Sequence, residues 1–293
     1  MRPSLVSVTG YLLSCTLARC FVYDEAAAKQ DMWTNQAMGC APSNLSDWSC
    51  GLPCDTVPLT EVGLVIDSDL DNLIVVGHHL DDCLMIVRGT KNIENAITDV
   101  KFVPEKPYGL ACPDCSVHSG FYESWIGMKA KVTDLLEQFG CSARNLQITG
   151  HSLGGSIAAL AAFDLVHTFM LSRLYTYGQP RTGNPDWTAE FDRRLANVPH
   201  VRVVEYMDPV PHLSPTNFLF TDYAHTPQEV WYNRTALGDY VLCEDPTDKH
   251  CSYQFNTVVT WTHGCDHCSY LGMNPCDCGS DVPNCQDPTN LVV

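Results

Sequence analysis

Asn145-Leu146-Gln147-Ile148-Thr149-Gly150-His151-Ser152-Leu153-Gly154-Gly155 is the stretch whose reading decides the fold. Leu146 and Ile148 alternate with polar residues, the period of a strand. After Gly155, Ala158, Ala159 and Ala162 supply the small side chains that close packing of a helix on a sheet requires. Between the two lies Gly-x-Ser-x-Gly, a sharp turn in which the serine takes a strained backbone and its hydroxyl stands above the sheet edge. Glycines two before and two after the serine are needed because a side chain there would strike the neighbouring strand or helix. A strand before the motif and a helix after it separate it from a chance pentapeptide, and Ser152 becomes the candidate nucleophile.

The alternation continues outward on both sides. Residues 24–38 read as a helix, 73–77 and 84–89 as adjacent strands joined by the polar turn at Asp81-Asp82, and 122–139 as a helix ended by Gly140. Residues 145–149 form a strand, 153–170 a helix, and 174–177 and 201–207 two further strands. Strands alternating with helices predict an α/β fold with a mainly parallel central sheet covered by helices on both faces. From about Pro246 the chain is richer in Cys, Asp, Asn and Pro, which predicts a disulfide-stapled surface region and no second domain. The organisation expected is a leader over 1–20 and a single domain over 21–293.

The leader is read from Arg2, the largely apolar 5–17, and small-residue cleavage sites at Thr16-Leu17-Ala18 and Ala18-Arg19-Cys20; no acid precedes Asp24. The stretch is too short to span a bilayer, so a transmembrane segment is not expected. Sixteen cysteines in 293 residues suit an oxidising compartment, and cleavage after Cys20 leaves an even fourteen. The protein is therefore expected outside the cell. Its 17 basic and 34 acidic side chains give a net charge of −17, which excludes a nucleic-acid partner, since phosphate binding needs a basic face. Cys112-x-x-Cys115 and Cys265-x-x-Cys268, with His263 and His267 nearby, have the look of zinc half-sites. The spacing between the pairs is far beyond a zinc ribbon, so no metal is expected. Asn44-Leu45-Ser46 and Asn233-Arg234-Thr235 are glycosylation acceptors.

A serine hydroxyl attacks only when a base takes its proton, and the base needs an orienting carboxylate. In enzymes built on this elbow the chain order is Ser, acid, His. Asp208 follows the strand at 201–207, at the sheet edge where ligands bind in open α/β folds. Asp222 and Asp239 are rivals that end no strongly apolar strand. His212 lies four residues from Asp208 and reads as structural; His225, His250, His263 and His267 stay open as the base.

From about residue 26 to 276 the chain resembles the fungal class 3 lipases, within the α/β-hydrolases. The matching pieces are Val87-Arg88-Gly89-Thr90, Val117-His118-Ser119-Gly120-Phe121, Thr149 to Gly155, Tyr177-Gly178-Gln179-Pro180-Arg181, Asp208-Pro209-Val210-Pro211-His212 and Asp266-His267-Cys268-Ser269-Tyr270. The resemblance implies a triad of Ser152, Asp208 and His267, with His225 non-catalytic. It implies an oxyanion hole from the backbone N–H groups of Thr90 and Leu153, aided by the Thr90 hydroxyl, with Asp99 holding that hydroxyl. It places a lid at Lys91-Asn92-Ile93-Glu94-Asn95-Ala96-Ile97-Thr98, where Ala96 stands at a position the family gives to Trp and Glu94 where a basic residue is common. It implies disulfides Cys40–Cys276, Cys50–Cys54 and Cys243–Cys251, leaving eight cysteines unassigned. The function so implied is hydrolysis of triacylglycerol, or another ester, through an acyl-enzyme without a cofactor. The substrate the resemblance implies is a lipid or other ester, met at a lipid-water interface. Feruloyl esterase and phospholipase A1 share the scaffold, and the unusual lid keeps them in view; a non-catalytic lipid-binding protein on the same scaffold is the remote alternative.

Overall fold

The computed structural model describes residues 23–67, 69–89, 103–216, 222–233, 239–255, 260–281 and 285. Ten strands follow in chain order: β1 Thr60–Asp67, β2 Asn72–His79, β3 Asp82–Arg88, β4 Pro104–Glu105, β5 Val117–His118, β6 Asn145–His151, β7 Met170–Tyr177, β8 His200–Glu205, β9 Glu229–Tyr232 and β10 Tyr240–Cys243. Eight of them make one sheet in the order β1-β2-β3-β6-β7-β8-β9-β10, while β4 and β5 pair apart. The run from β3 to β9 is parallel, and the pairs β1–β2, β2–β3 and β9–β10 are antiparallel. The α/β-hydrolase expectation of a mainly parallel sheet is met.

β6 lies inside the sheet because both its faces are covered. On one face Leu146 and Ile148 pack with the helices Ser119–Gln138, Leu153–Leu165 and Pro185–Arg194, whose Trp125, Phe163 and Trp187 are buried. On the other face lies the helix Glu25–Ala37, capped by Asp24, whose carboxylate accepts from the N–H of Ala26 at 3.0 Å and of Ala27 at 3.1 Å. That cap satisfies two of the donors a helix start leaves unpaired. Asn35 donates to Thr149 Oγ1 at 2.8 Å, and Asp31 pairs with Arg173 at 2.6 Å, so polar pins fix this helix to β6 and β7.

Several boundaries differ from the sequence reading. The helix after Ser152 stops at Leu165, not near 170, because Met170 already pairs with Asn145 in the parallel ladder. Phe169-Met170-Leu171 is apolar in either state, and the strand partner settles which it takes. β1, β9 and β10 escaped the sequence reading; their burial is uneven or their length four residues, which leaves little period to detect. Among the described residues no helix is long and apolar enough to cross a membrane.

Candidate active site

The chemistry collects where β6 ends. Ser152 has φ 59° and ψ −133°, a backbone few non-glycine residues adopt, which costs of the order of 1–3 kcal/mol. Close packing holds it there. A Cβ on Gly150 would lie 2.4 Å from the Gly154 carbonyl oxygen, and one on Gly154 would lie 2.2 Å from that of Val87. Ser152 N–H donates to the Tyr177 carbonyl at 2.8 Å, tying the turn to β7. The serine is 4 % exposed and its Oγ has no hydrogen-bond partner. Leu153 opens the next helix, so its N–H has no acceptor within that helix.

Asp208 and His267 meet at the same edge. His267 Nδ1 donates to Asp208 at 2.8 Å (Oδ2) and 3.0 Å (Oδ1), and the carboxylate is fully buried. Tyr270 OH donates to Oδ2 and the Val210 N–H to Oδ1 at 2.8 Å. Burial by itself would raise the Asp208 carboxyl. The adjacent His267, with these hydrogen bonds, outweighs it and holds the group below the usual carboxylate range. With Nδ1 donating, His267 Nε2 is the ring nitrogen left for a proton, and it has no hydrogen-bond partner. Gly178 makes this meeting possible: at φ +57° a Cβ would lie 2.7 Å from Asp208 Oδ2 and 2.9 Å from His267 Cε1.

Ser152 and His151 line a cavity of about 250 Å³, with Asn35, Met38, Gly39, Val87, Arg88, Gly89, Pro275, Cys276 and Asp277. The other acid and base candidates make different contacts. His225 is buried and its Nε2 donates to the Pro211 carbonyl at 2.7 Å, and His212 is buried. His250 is exposed beside Asp248, and His263 Nδ1 lies 3.6 Å from Asp266. Asp222 and Asp239 are exposed. The sequence reading assigned no role to Tyr270, the Val210 N–H or His151. Tyr270 stood inside a quoted motif, but only the fold reveals that its hydroxyl turns toward Asp208. Thr90, Asp99, the lid residues 91–98 and the leader 1–20 lie outside the described residues. Asn44 is exposed and Asn233 half-buried at the end of β9.

The disulfides correct one expectation. Cys40 bonds Cys278, not Cys276, and Cys276 bonds Cys268. The backbone at 277–278 packs against Gly39, so close that a Cβ there would lie 2.8 Å from Cys278 N, which brings Cys278 to Cys40 with 4.5 Å between Cα atoms. Cys276 faces the other way, its sulfur 3.9 Å from the His267 carbonyl oxygen. Cys50–Cys54 and Cys243–Cys251 are as expected; Cys83–Cys141, Cys112–Cys115 and Cys265–Cys285 account for the rest. Both Cys-x-x-Cys pairs are thus consumed by disulfides. His78, Cys83 and Cys141 cluster at metal-ligand distance, but the two sulfurs are bonded to each other and offer no thiolate.

Residues 84–218 match the family described as lipase (class 3). A lipase of Rhizomucor miehei is 32 % identical over 241 residues, covering 78 % of this chain and 62 % of its own length. A secreted mono- and diacylglycerol lipase of Fusarium solani is 36 % identical over 166 residues, covering 56 % of this chain and 48 % of its own. The chain thus spans about half to three-fifths of these curated relatives. The structure of the Rhizomucor miehei triacylglyceride lipase superposes with a TM-score of 0.72 at 27 % identity, covering 88 % of this chain and 98 % of that one. With a relative 32 % identical over 78 % of its length, the chain belongs to the class 3 lipase family and has its α/β-hydrolase fold.

Proposed function

We propose that the protein is a secreted carboxylic-ester hydrolase, a triacylglycerol lipase, with Ser152 as nucleophile, His267 as base and Asp208 as the acid that orients it. The observation that carries the reading is the buried His267–Asp208 pair at the strand edge where the strained Ser152 borders a cavity. His267 Nε2 takes the Ser152 proton as Oγ attacks the ester carbonyl, and Asp208 stabilises the imidazolium. His267 then protonates the leaving alcohol, and water repeats the sequence on the acyl-enzyme to release the acid. The growing oxyanion would be met by the N–H groups of Leu153 and Thr90 and the Thr90 hydroxyl, which Asp99 steadies; one lost donor costs about 2.7–4 kcal/mol of barrier.

The names of the relatives support lipid esters as substrates and secretion as the route. Residues 1–20 would be removed, leaving 21–293 as one domain, and Asn44 and Asn233 are its candidate glycan sites. In the lid, Ala96 and Glu94 favour a second reading, an enzyme for smaller or more polar esters such as feruloyl esters or phospholipids. Two measurements test the proposal. Ser152→Ala should lower ester hydrolysis by about a thousandfold or more and abolish labelling by a fluorophosphonate; activity near wild type would remove the nucleophile. Rates on emulsified long-chain triglyceride, phospholipid and soluble short-chain esters then rank the substrates, and a rate highest on soluble esters would displace the lipase reading.

A further inference from the structure

The two-step chemistry above asks nothing of His151, the residue between Gly150 and the nucleophile. It is nevertheless 7 % exposed and in contact with the base in two ways. Its Nε2–H donates to the backbone carbonyl of His267 at 2.8 Å. Its ring lies on the His267 ring with 4.4 Å between centroids and 30° between planes. The edge of Tyr270 meets His151 at 5.6 Å and 71°, closing a third side.

We infer that His151 is a positioning residue for His267, fixing both the main chain and the ring plane of the base. The inference rests on the esterase reading of the site. Asp208 holds one atom of the imidazole, Nδ1, and a ring held at one atom can still swing about that contact. The stacked His151 blocks the swing, and its hydrogen bond anchors the backbone from which the ring hangs. The anchor is rigid because His151 is the last residue of β6, paired with Tyr177 on one side and Arg88 on the other. His267 belongs to an irregular 3-10 stretch, Trp261–Cys268, with no sheet partner of its own. Since His151 and Ser152 are consecutive, one dipeptide at the strand end sets nucleophile and base relative to each other.

Charge suits the role. Burial foremost, then the neighbouring His267, pushes His151 down to about 3, so it stays neutral while the base cycles through its imidazolium. A second cation stacked at this distance would oppose that step. The titratable groups in contact with the two rings are Asp208, on His267, and Tyr270, on His151; Arg88 and Asp277 line the same cavity as His151.

Three variants separate the two contacts. His151→Phe keeps a flat ring and loses the donor; His151→Gln keeps a donor and loses the ring; His151→Ala loses both. Misplacement of a reacting group by about 1 Å costs about a hundredfold. We expect kcat to fall about tenfold in each of the first two and about a hundredfold in the third, with KM within about twofold and fluorophosphonate labelling slowed in parallel. Wild-type kcat in His151→Ala, or a loss confined to KM, overturns the inference. If His151→Ala does not fold, His151→Phe and His151→Gln decide, and wild-type kcat in both overturns it. Wild type against Ser152→Ala tests the esterase reading separately, so failure of one is distinguishable from failure of the other.

Discussion

Ser152 and His267 are both buried, His267 stacked on the residue before the serine, yet the chain holds them by opposite means. The serine sits at the end of a parallel strand paired on both sides, and backbone contacts around Gly150 and Gly154 fix its turn without any cross-link. The histidine sits on irregular chain stapled by Cys265–Cys285 and Cys268–Cys276, with Cys40–Cys278 tying the same region to the end of the first helix. One half is specified by packing, the other by covalent closure. An elbow in a sheet leaves no room to choose otherwise. A loop of 3-10 turns and bends, though Tyr270, Leu271 and Met273 are buried, has no strand ladder to fix its backbone, and cross-links limit the freedom it would otherwise keep.

The largest effect should come from the packed half. In Gly154→Ala the added methyl would meet the Val87 carbonyl, a backbone atom that cannot rotate away. Overpacking of this kind costs about 1–3 kcal/mol or more, and this contact belongs at the top of that range. Thermal unfolding should show a fall of about 3 kcal/mol together with loss of activity. An alanine tolerated there would mean that the elbow is looser than its contacts imply.

The stapled half should respond differently. Replacing Cys268 and Cys276 by Ser opens a loop with eight residues of separation. Chain entropy puts the loss near 2.5 kcal/mol. Activity should drop further than stability explains, since the loop begins beside His267 and contains Tyr270. Equal residual activity at a temperature where both forms are folded would show that the bridge stabilises without positioning. Tyr270→Phe is a milder probe of the same region. It removes one hydrogen bond to a charged acceptor, about 1.5–3 kcal/mol. Asp208 is depressed in the folded protein, so its contribution is present above the unfolded carboxyl value and is lost as pH falls through the folded one. With Tyr270 gone the depression shrinks, and acid unfolding of the variant should begin at higher pH than in wild type.

The contrast also explains what could be read from the chain. Leu146, Ile148 and the three glycines announced the elbow because strand period and steric need are local. Asp208 was visible as a carboxylate just past an apolar strand. His267 could not be separated from His225, His250 and His263 without the family motif, because nothing local distinguishes a histidine on stapled loop. The pairing of Cys40 was misread for the same reason: Cys276 and Cys278 are two residues apart, and only the approach of 277–278 to Gly39 selects between them. Tyr270 and His151 act across 62 and 116 residues of sequence, through contacts that exist only once the sheet has formed.

The last prediction, a difference in pH slope, reads the seam between the halves. His151 is pushed down to about 3 in the folded protein, whereas an unfolded histidine titrates near 6.5. Below about pH 6.5 the unfolded chain therefore binds a proton that the folded one refuses, and stability falls with falling pH until the folded value is reached. One such group contributes a slope of about 1.4 kcal/mol per pH unit. His118 and His212, each pushed down to about 4 chiefly by burial, add slopes of the same sign. His151→Phe keeps the buried ring and removes one titration, so between pH 6 and 4 its stability should decline less steeply than that of wild type by about one proton's worth. Parallel declines for the two proteins would mean that His151 accepts its proton inside the fold, and that the ring stacked on the base does not stay neutral.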